Sequence, residues 1–287
     1  MDGILLINKE KGISSFGVVA KVRKIFNTKK VGHCGTLDPE ATGVLPIMVG
    51  KATKVSKYLV EHDKEYIATL KLGVKTDSGD GEGNIIKTDN FKLEESLKDE
   101  YLKKINNLVG IQEQIPPMYS AIKVNGKKLY EYARNGIEVE RNPRRINIYS
   151  IFVETFKIKE NEIVFKVNCS KGTYIRTLCE NMAEALGTVG YMKELQRTKV
   201  DNFTIEDSIT LTELEKLQDK EKIVISIEDL FNESEKIDLN DTKNQLFLNG
   251  VMLAQNVLDG IYRIYNGENF IGLGIVKDKK LKRDVIL

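Results

Sequence analysis

Residues 30–46 read Lys30-Val31-Gly32-His33-Cys34-Gly35-Thr36-Leu37-Asp38-Pro39-Glu40-Ala41-Thr42-Gly43-Val44-Leu45-Pro46. The stretch holds one of the chain's two histidines and two of its five prolines. No helical or strand period runs through its middle. A segment so dense in Gly and Pro is an ordered, turn-rich loop or a linker. The apolar run at 44–49 behind it reads as a buried strand and argues against a linker. The loop is therefore expected to be clamped between core elements, with Asp38 at its centre.

Working outward, residues 3–8 form an apolar run ended by a polar turn, which predicts a buried strand. Ser14 or Ser15 is then expected to cap a helix with Phe16, Val19, Val22 and Phe26 on its inner face and a basic outer face. Past the loop, the pattern predicts a helix around 51–62 with Val55, Tyr58 and Leu59 inward, and a strand over 66–72. Residues 77–84 are an acidic, Gly-rich turn, but their spacing is wrong for an EF-hand and argues against calcium. Leu93, Leu97, Leu102, Ile105 and Leu108 mark an amphipathic helix. Pro116-Pro117 breaks the pattern, and an edge strand is expected just after it.

Strands follow at 146–158 and 163–169. Ser170-Lys171-Gly172-Thr173 then opens a helix whose Ile175, Leu178, Cys179, Met182, Ala183 and Leu186 keep helical spacing, with Gly187 as its stop. Arg176 falls in the first turn, at the edge of that face. A cation there opposes the macrodipole, which hints at a specific anionic partner. Past Phe203 the chain reads as acidic and helical to about Asn232. A small separate β-rich unit ends the pattern, with a helix at 241–248 and strands at 261–265, 269–276 and 281–287.

The net charge of +2 hides an uneven distribution. Residues 9–30 carry Lys9, Lys11, Lys21, Arg23, Lys24, Lys29 and Lys30 against Glu10 alone. Residues 123–145 carry Lys123, Lys127, Lys128, Arg134, Arg141, Arg144 and Arg145 against Glu131, Glu138 and Glu140, with tyrosines interleaved. Two basic zones on a near-neutral chain suggest a polyanion footprint, and basic residues among aromatics suit unpaired RNA; solvated helix faces would give the same runs. Three scattered cysteines with no C-x-x-C argue against a disulfide framework and, with two histidines, against structural zinc. No apolar run approaches the length of a signal peptide or a membrane span, so a cytoplasmic protein is expected.

No nucleotide-binding, serine-hydrolase or metalloprotease motif is present. Asp38 is the sharpest reactive group: a carboxylate held between Leu37 and Pro39. It could be a nucleophile, a base or a buried cap, and a cap is the commoner role for an Asp-Pro. His33 could stack, move a proton or simply fill the core. Composition and spacing go no further.

The 30–46 stretch closely resembles the catalytic motif of the TruB family of tRNA pseudouridine-55 synthases. Leu5-Leu6-Ile7-Asn8-Lys9…Gly12-Ile13-Ser14-Ser15 resembles the family's N-terminal motif, and Lys64-Glu65-Tyr66 its tyrosine motif. Residues 114–134, from Gln114-Ile115-Pro116-Pro117-Met118-Tyr119 to Glu131-Tyr132-Ala133-Arg134, resemble its RNA-gripping thumb. Cys169-Ser170-Lys171-Gly172-Thr173-Tyr174-Ile175-Arg176-Thr177 resembles its arginine motif. Five segments in order over nearly the whole chain are not a chance match.

The resemblance implies an α+β pseudouridine synthase fold: a mixed, largely antiparallel sheet flanked by helices. It implies a catalytic domain over 1–234 with a thumb insertion near 114–145, and a small PUA-like RNA-binding domain over 235–287. By resemblance, Asp38 is the catalytic aspartate, Tyr66 stacks on the target uracil and Arg176 pairs with the aspartate. His33 helps hold the T-loop with its base extruded. Lys9 and Leu195 line the site, and Tyr174, Lys123, Lys127, Lys128 and Arg134 bind substrate or RNA. The implied partner is the T-arm of tRNA, with the C-terminal unit at the acceptor end. No cofactor, metal or obligatory protein partner is expected, and the chain is expected to act as a monomer.

The chemistry agrees with these roles. Turning uridine into pseudouridine breaks one glycosidic bond and makes another, with nothing oxidised and nothing added. The target base must leave its stack, at roughly a few kcal/mol, and aromatic stacking offsets about 1–3 kcal/mol of that. Arg176 is expected to keep Asp38 ionised despite burial. Glu10 stands where the family usually has proline, and Cys34 where it usually has threonine. The alternative function is a tRNA-binding or tRNA-folding module in which catalysis is secondary; a subunit guided by another RNA would be expected to carry more chain.

Overall fold

The computed structural model describes residues 2–60 and 62–287. Its body is a ten-stranded sheet. The main path runs Ile225–Ser226, Gly3–Lys9, Thr42–Val49, Gly190–Val200, Lys64–Leu72, Glu162–Cys169, Arg144–Lys157 and Gly110–Gln114. Neighbours on this path are antiparallel except one pair: Thr42–Val49 runs parallel to Gly190–Val200, through Gln196 opposite Thr42 and Arg197 opposite Gly43.

The runs 3–8 and 44–49 are continuously apolar because both of their faces are covered. Leu5, Ile7, Leu45 and Ile47 point to one core, shared with Val18, Val19 and Val22 of the helix Ser15–Ile25 and with Leu178 and Met182 of the helix Ile175–Ala185. Ile4, Leu6, Val44 and Met48 point to a second core on the opposite side. Each such side chain contributes about 1.5–3 kcal/mol by leaving water. Among the described residues no helix is long and apolar enough to cross a membrane.

The expected strands at 3–8, 44–49, 66–72, 146–158 and 163–169 are present with ends shifted by a few residues. Several other expectations are corrected. Ser14 caps the first helix by accepting from the Gly17 N–H at 3.0 Å, but that helix buries Ser15, Val18, Val19 and Val22, and Phe16 is 68% exposed. The helix expected around 51–62 is a 3₁₀ turn, Gly50–Val55, followed by Ser56–Val60; β-branched Thr53 and Val55 disfavour a regular α-helix there. Residue 61 lies outside the described residues. The strand expected after Pro116-Pro117 lies before it, at Gly110–Gln114, and beyond the prolines only Lys123–Val124 and Lys127–Lys128 pair. Past Phe203 only short helices form, Leu211–Lys216 and Ile227–Leu230, because Ser, Thr and Asp there compete for the backbone and serve as caps.

From Lys236 onward the chain forms a five-stranded sheet ordered Lys236–Asp238, Gly260–Asn266, Asn269–Lys277, Lys280–Ile286 and Leu253–Ala254, with the helix Asp241–Leu248 against it. This unit is not separate in its packing. Leu273 and Val285 complete the second core, beside Cys34, Val44 and Met48 at the back of the Asp38 loop. Tyr58 donates to Asp284 at 2.5 Å, and Lys57 pairs with the same carboxylate.

Candidate active site

The sheet order brings three sequence segments together. Gly190–Val200 lies between the strand that leaves the Asp38 loop and the strand that carries Tyr66. A cleft of about 910 Å³ opens above this junction, lined among others by Asp38, Tyr66, Lys64, Tyr174, Arg176 and Leu195. The opening of the loop is itself ordered: Val31–His33 pairs as a strand with Thr42–Val49, which the sequence did not suggest.

The loop is tied at several points. The Ser15 hydroxyl donates to the Leu37 carbonyl at 3.0 Å and accepts from the Leu37 N–H at 2.9 Å. The Gly12 N–H donates to the Pro39 carbonyl at 2.9 Å, and the Ala41 N–H to that of Asp38 at 3.1 Å. Lys9 is fully buried, and its Nζ donates to the carbonyls of Pro39, Ile13 and Glu10. Lys9, expected to line the site, is not among the residues that line the cleft and clamps the loop from behind. Its ammonium is held there by three converging carbonyls, which compensate part of the cost of burying the charge. Burial brings its pKa down to about 8.

Arg176 is 5% exposed at the start of its helix. Its Nε stands 3.2 Å from Asp38 Oδ2 and its Nη1 3.7 Å from Asp80 Oδ2. Nη1 also donates to the Ser78 carbonyl at 3.2 Å, and Nη2 to the Tyr119 carbonyl at 2.8 Å. One guanidinium thereby joins the loop, the 77–84 turn and the base of the thumb. Asp38 itself sits above the ordinary carboxyl pKa, with Arg176 working against that rise. Burial pushes the carboxyl up, Asp80 pushes the same way, and Arg176 and Lys9 only partly oppose them.

Tyr66 is 8% exposed, and Arg197 stands opposite it in the sheet. Tyr174 caps the Arg176 helix, its N–H donating to Gln114 Oε1 at 2.8 Å and its carbonyl accepting from Gln114 Nε2 at 3.1 Å. His33 is half-buried and not among the residues that line the cleft; it packs edge-on to Phe16, which is, with ring centroids 5.4 Å apart. Burial, with Arg197 nearby, lowers its pKa and favours the neutral ring. Lys128 and Arg134 line the cleft and flank the Tyr130 ring, each 5.4 Å from its centroid. Lys123 and Lys127 are exposed on the thumb outside that lining.

Two residues of the site escape a reading of the sequence. Asp80 sits in the turn read only as a rejected calcium loop, where Ser78 Oγ donates to its Oδ1 at 2.5 Å. Arg197, in Leu195-Gln196-Arg197-Thr198-Lys199, follows a polar alternation that looks like a solvated strand, yet it is 1% exposed. Its one signal is its place two residues after Leu195. Among the described residues, no group of three or more His, Cys, Asp or Glu could hold a metal ion.

Comparison with known proteins gives a consistent family. The model described as TruB family pseudouridylate synthase (N terminal domain) matches residues 23–175. That described as tRNA pseudouridylate synthase B C-terminal domain matches 176–236. The tRNA pseudouridine synthase B of Clostridium kluyveri is 44% identical over 289 residues, covering 98% of each chain. That of Francisella philomiragia is 44% identical over 285 residues, covering 98% of this chain and 93% of its own. Among solved structures, a Cbf5-Nop10-Gar1 complex contains a chain that superposes with a TM-score of 0.71 at 26% identity, covering 99% of this chain and 83% of its own. An H/ACA RNP bound to a substrate RNA containing 2′-deoxyuridine gives 0.69 at 25%, with the same coverage.

Proposed function

This chain belongs to the TruB family of pseudouridylate synthases, and from that membership we propose that it isomerises the T-loop uridine at position 55 of tRNA to pseudouridine. The observation that carries the reading is the Asp38–Arg176 pair at 3.2 Å, on the wall of the cleft that Tyr66 also lines.

The target uridine is turned out of the T-loop and lies against the Tyr66 ring, in a cavity large enough for a nucleoside. Asp38 supplies the carboxylate on which the isomerisation turns. The N1–C1′ bond breaks, the uracil rotates while held, and C5 joins C1′. The C5 proton leaves and N1 gains one, so product and substrate have the same atoms and no co-reactant is consumed. Arg176 keeps the carboxylate aimed and favours its charged form against burial. Leu195 gives the base an apolar wall, and Tyr174 sets the start of the Arg176 helix.

At the thumb side of the cleft, Lys128 and Arg134 meet the phosphates next to the flipped nucleotide, with Lys123 and Lys127 further out on the thumb. His33, neutral and backed by Phe16, meets the part of the T-loop vacated by the base. The domain over 235–287 contacts the acceptor end, and the enzyme acts as a monomer.

The test is pseudouridine formation in unmodified tRNA transcripts and T-arm hairpins by the purified protein. Product at the T-loop uridine is expected in both. A protein that binds these RNAs and forms none would overturn the reading.

A further inference from the structure

Arg197 is the residue at which the loop strand and the Tyr66 strand meet. In the register of the sheet it stands opposite Gly43 on one side and opposite Tyr66 on the other. Its Nε donates to the Val44 carbonyl at 2.8 Å and its Nη2 to the Gly35 carbonyl at 3.1 Å, so one guanidinium grips both shoulders of the Asp38 loop. The approach is close: Gly43 has φ +106°, and a Cβ there would lie 2.1 Å from the Arg197 carbonyl oxygen.

A buried cation is costly unless it is fully paired. The Arg197 guanidinium is met by the backbone carbonyls of Val44 and Gly35, and neither is a carboxylate. An apolar side chain would fill this strand position without that cost. What the guanidinium adds is geometry, because its planar fork presents several donors in fixed directions.

We propose that Arg197 is a positioning residue for the isomerisation, fixing the separation between the Tyr66 strand and the Asp38 carboxylate by holding both shoulders of the loop on one rigid group that stands opposite Tyr66 in the sheet. This rests on the isomerase reading above. Arg197 acts through Tyr66 and the loop, so its loss lowers turnover of bound substrate and leaves tRNA affinity in place.

The experiment compares Arg197→Lys and Arg197→Met in single-turnover kinetics and tRNA binding. A misplacement near 1 Å costs about a hundredfold, so Arg197→Met is expected to lose about that much kcat and Arg197→Lys about tenfold, with Kd for tRNA within about twofold. Wild-type kcat in Arg197→Lys, or a loss confined to tRNA binding, would overturn the proposal. If Arg197→Met does not fold, the kcat and Kd of Arg197→Lys decide alone. An inactive wild-type protein would overturn the isomerase reading instead, so the two failures are distinct.

Discussion

Arg176 meets Asp38 side-on, Nε to Oδ2 at 3.2 Å, with the guanidinium side chain 6% exposed and the carboxylate 38%. The cation is sealed in and the anion faces the cleft. The partner that anchors is therefore buried, and the partner that can reach a substrate is open.

Asp38→Asn is expected to abolish turnover and spare binding. It keeps the shape of the side chain and removes the group that can lose and regain a charge. General acid–base groups contribute about 10²–10⁴-fold, so pseudouridine formation falls by at least that range while the Kd for tRNA is unchanged. Turnover at the wild-type rate would remove Asp38 from the mechanism.

The acid limb of activity is expected to lie above the pH at which an ordinary aspartate titrates. Asp38 must be ionised, and burial with Asp80 raises its pKa from 3.8. Asp80→Asn removes the repulsive charge, so the limb moves to lower pH; kcat measured against pH decides, and an upward move refutes it. Stability follows the same shift. A carboxyl with a raised folded pKa favours folding while protonated, and that contribution is lost as pH rises through the raised value. Asp38→Asn is therefore expected to melt at a higher temperature than wild type at neutral pH, with the gap narrowing on acidification.

Lys9 gives a stability signature on the alkaline side. Its folded pKa is about 8 against 10.5 when exposed. Between these values the unfolded chain binds the extra proton, so this group makes stability rise with pH across that window. Denaturant titrations of wild type and Lys9→Met at pH 7, 8.5 and 10 are expected to show the wild type gaining relative to the variant. A constant difference would mean that Lys9 is not desolvated in the fold.

Lys127→Ala with Lys128→Ala is expected to weaken tRNA binding uniformly across tRNA sequences. For each phosphate no longer neutralised by a lysine, the slope of log K against log salt falls by about one. An unchanged slope would show that this part of the thumb does not meet the backbone.

The readable part of the site was the part whose chemistry is local. Asp38 stands out because Gly and Pro around it can only be an ordered loop beside an apolar strand. The final strands were legible from alternation and turn residues. Arg197 and Lys9 were not, because a cation in a polar sequence predicts exposure, and only the long-range meeting of Gly35, Val44 and Tyr66, or of Ile13 and Pro39, makes burial tolerable. Phe16 was placed in the core by its spacing, yet Val18 takes the inward position and Phe16 faces the cleft. The acidic stretch after Phe203 was read as helix because charge density there resembles a solvated helix face, while its Ser and Thr residues act as caps that divide it.

The second core has a consequence for any attempt to make the protein smaller. Leu273 and Val285 lie against the same apolar cluster as Ile4, Leu6, Val44 and Met48, so the C-terminal sheet is the outer wall of the catalytic body. Removing it would strip the back of the very strand that anchors the Asp38 loop and leave a wet apolar face there. The shortest chain that keeps the loop in place is one that still contains its final strand.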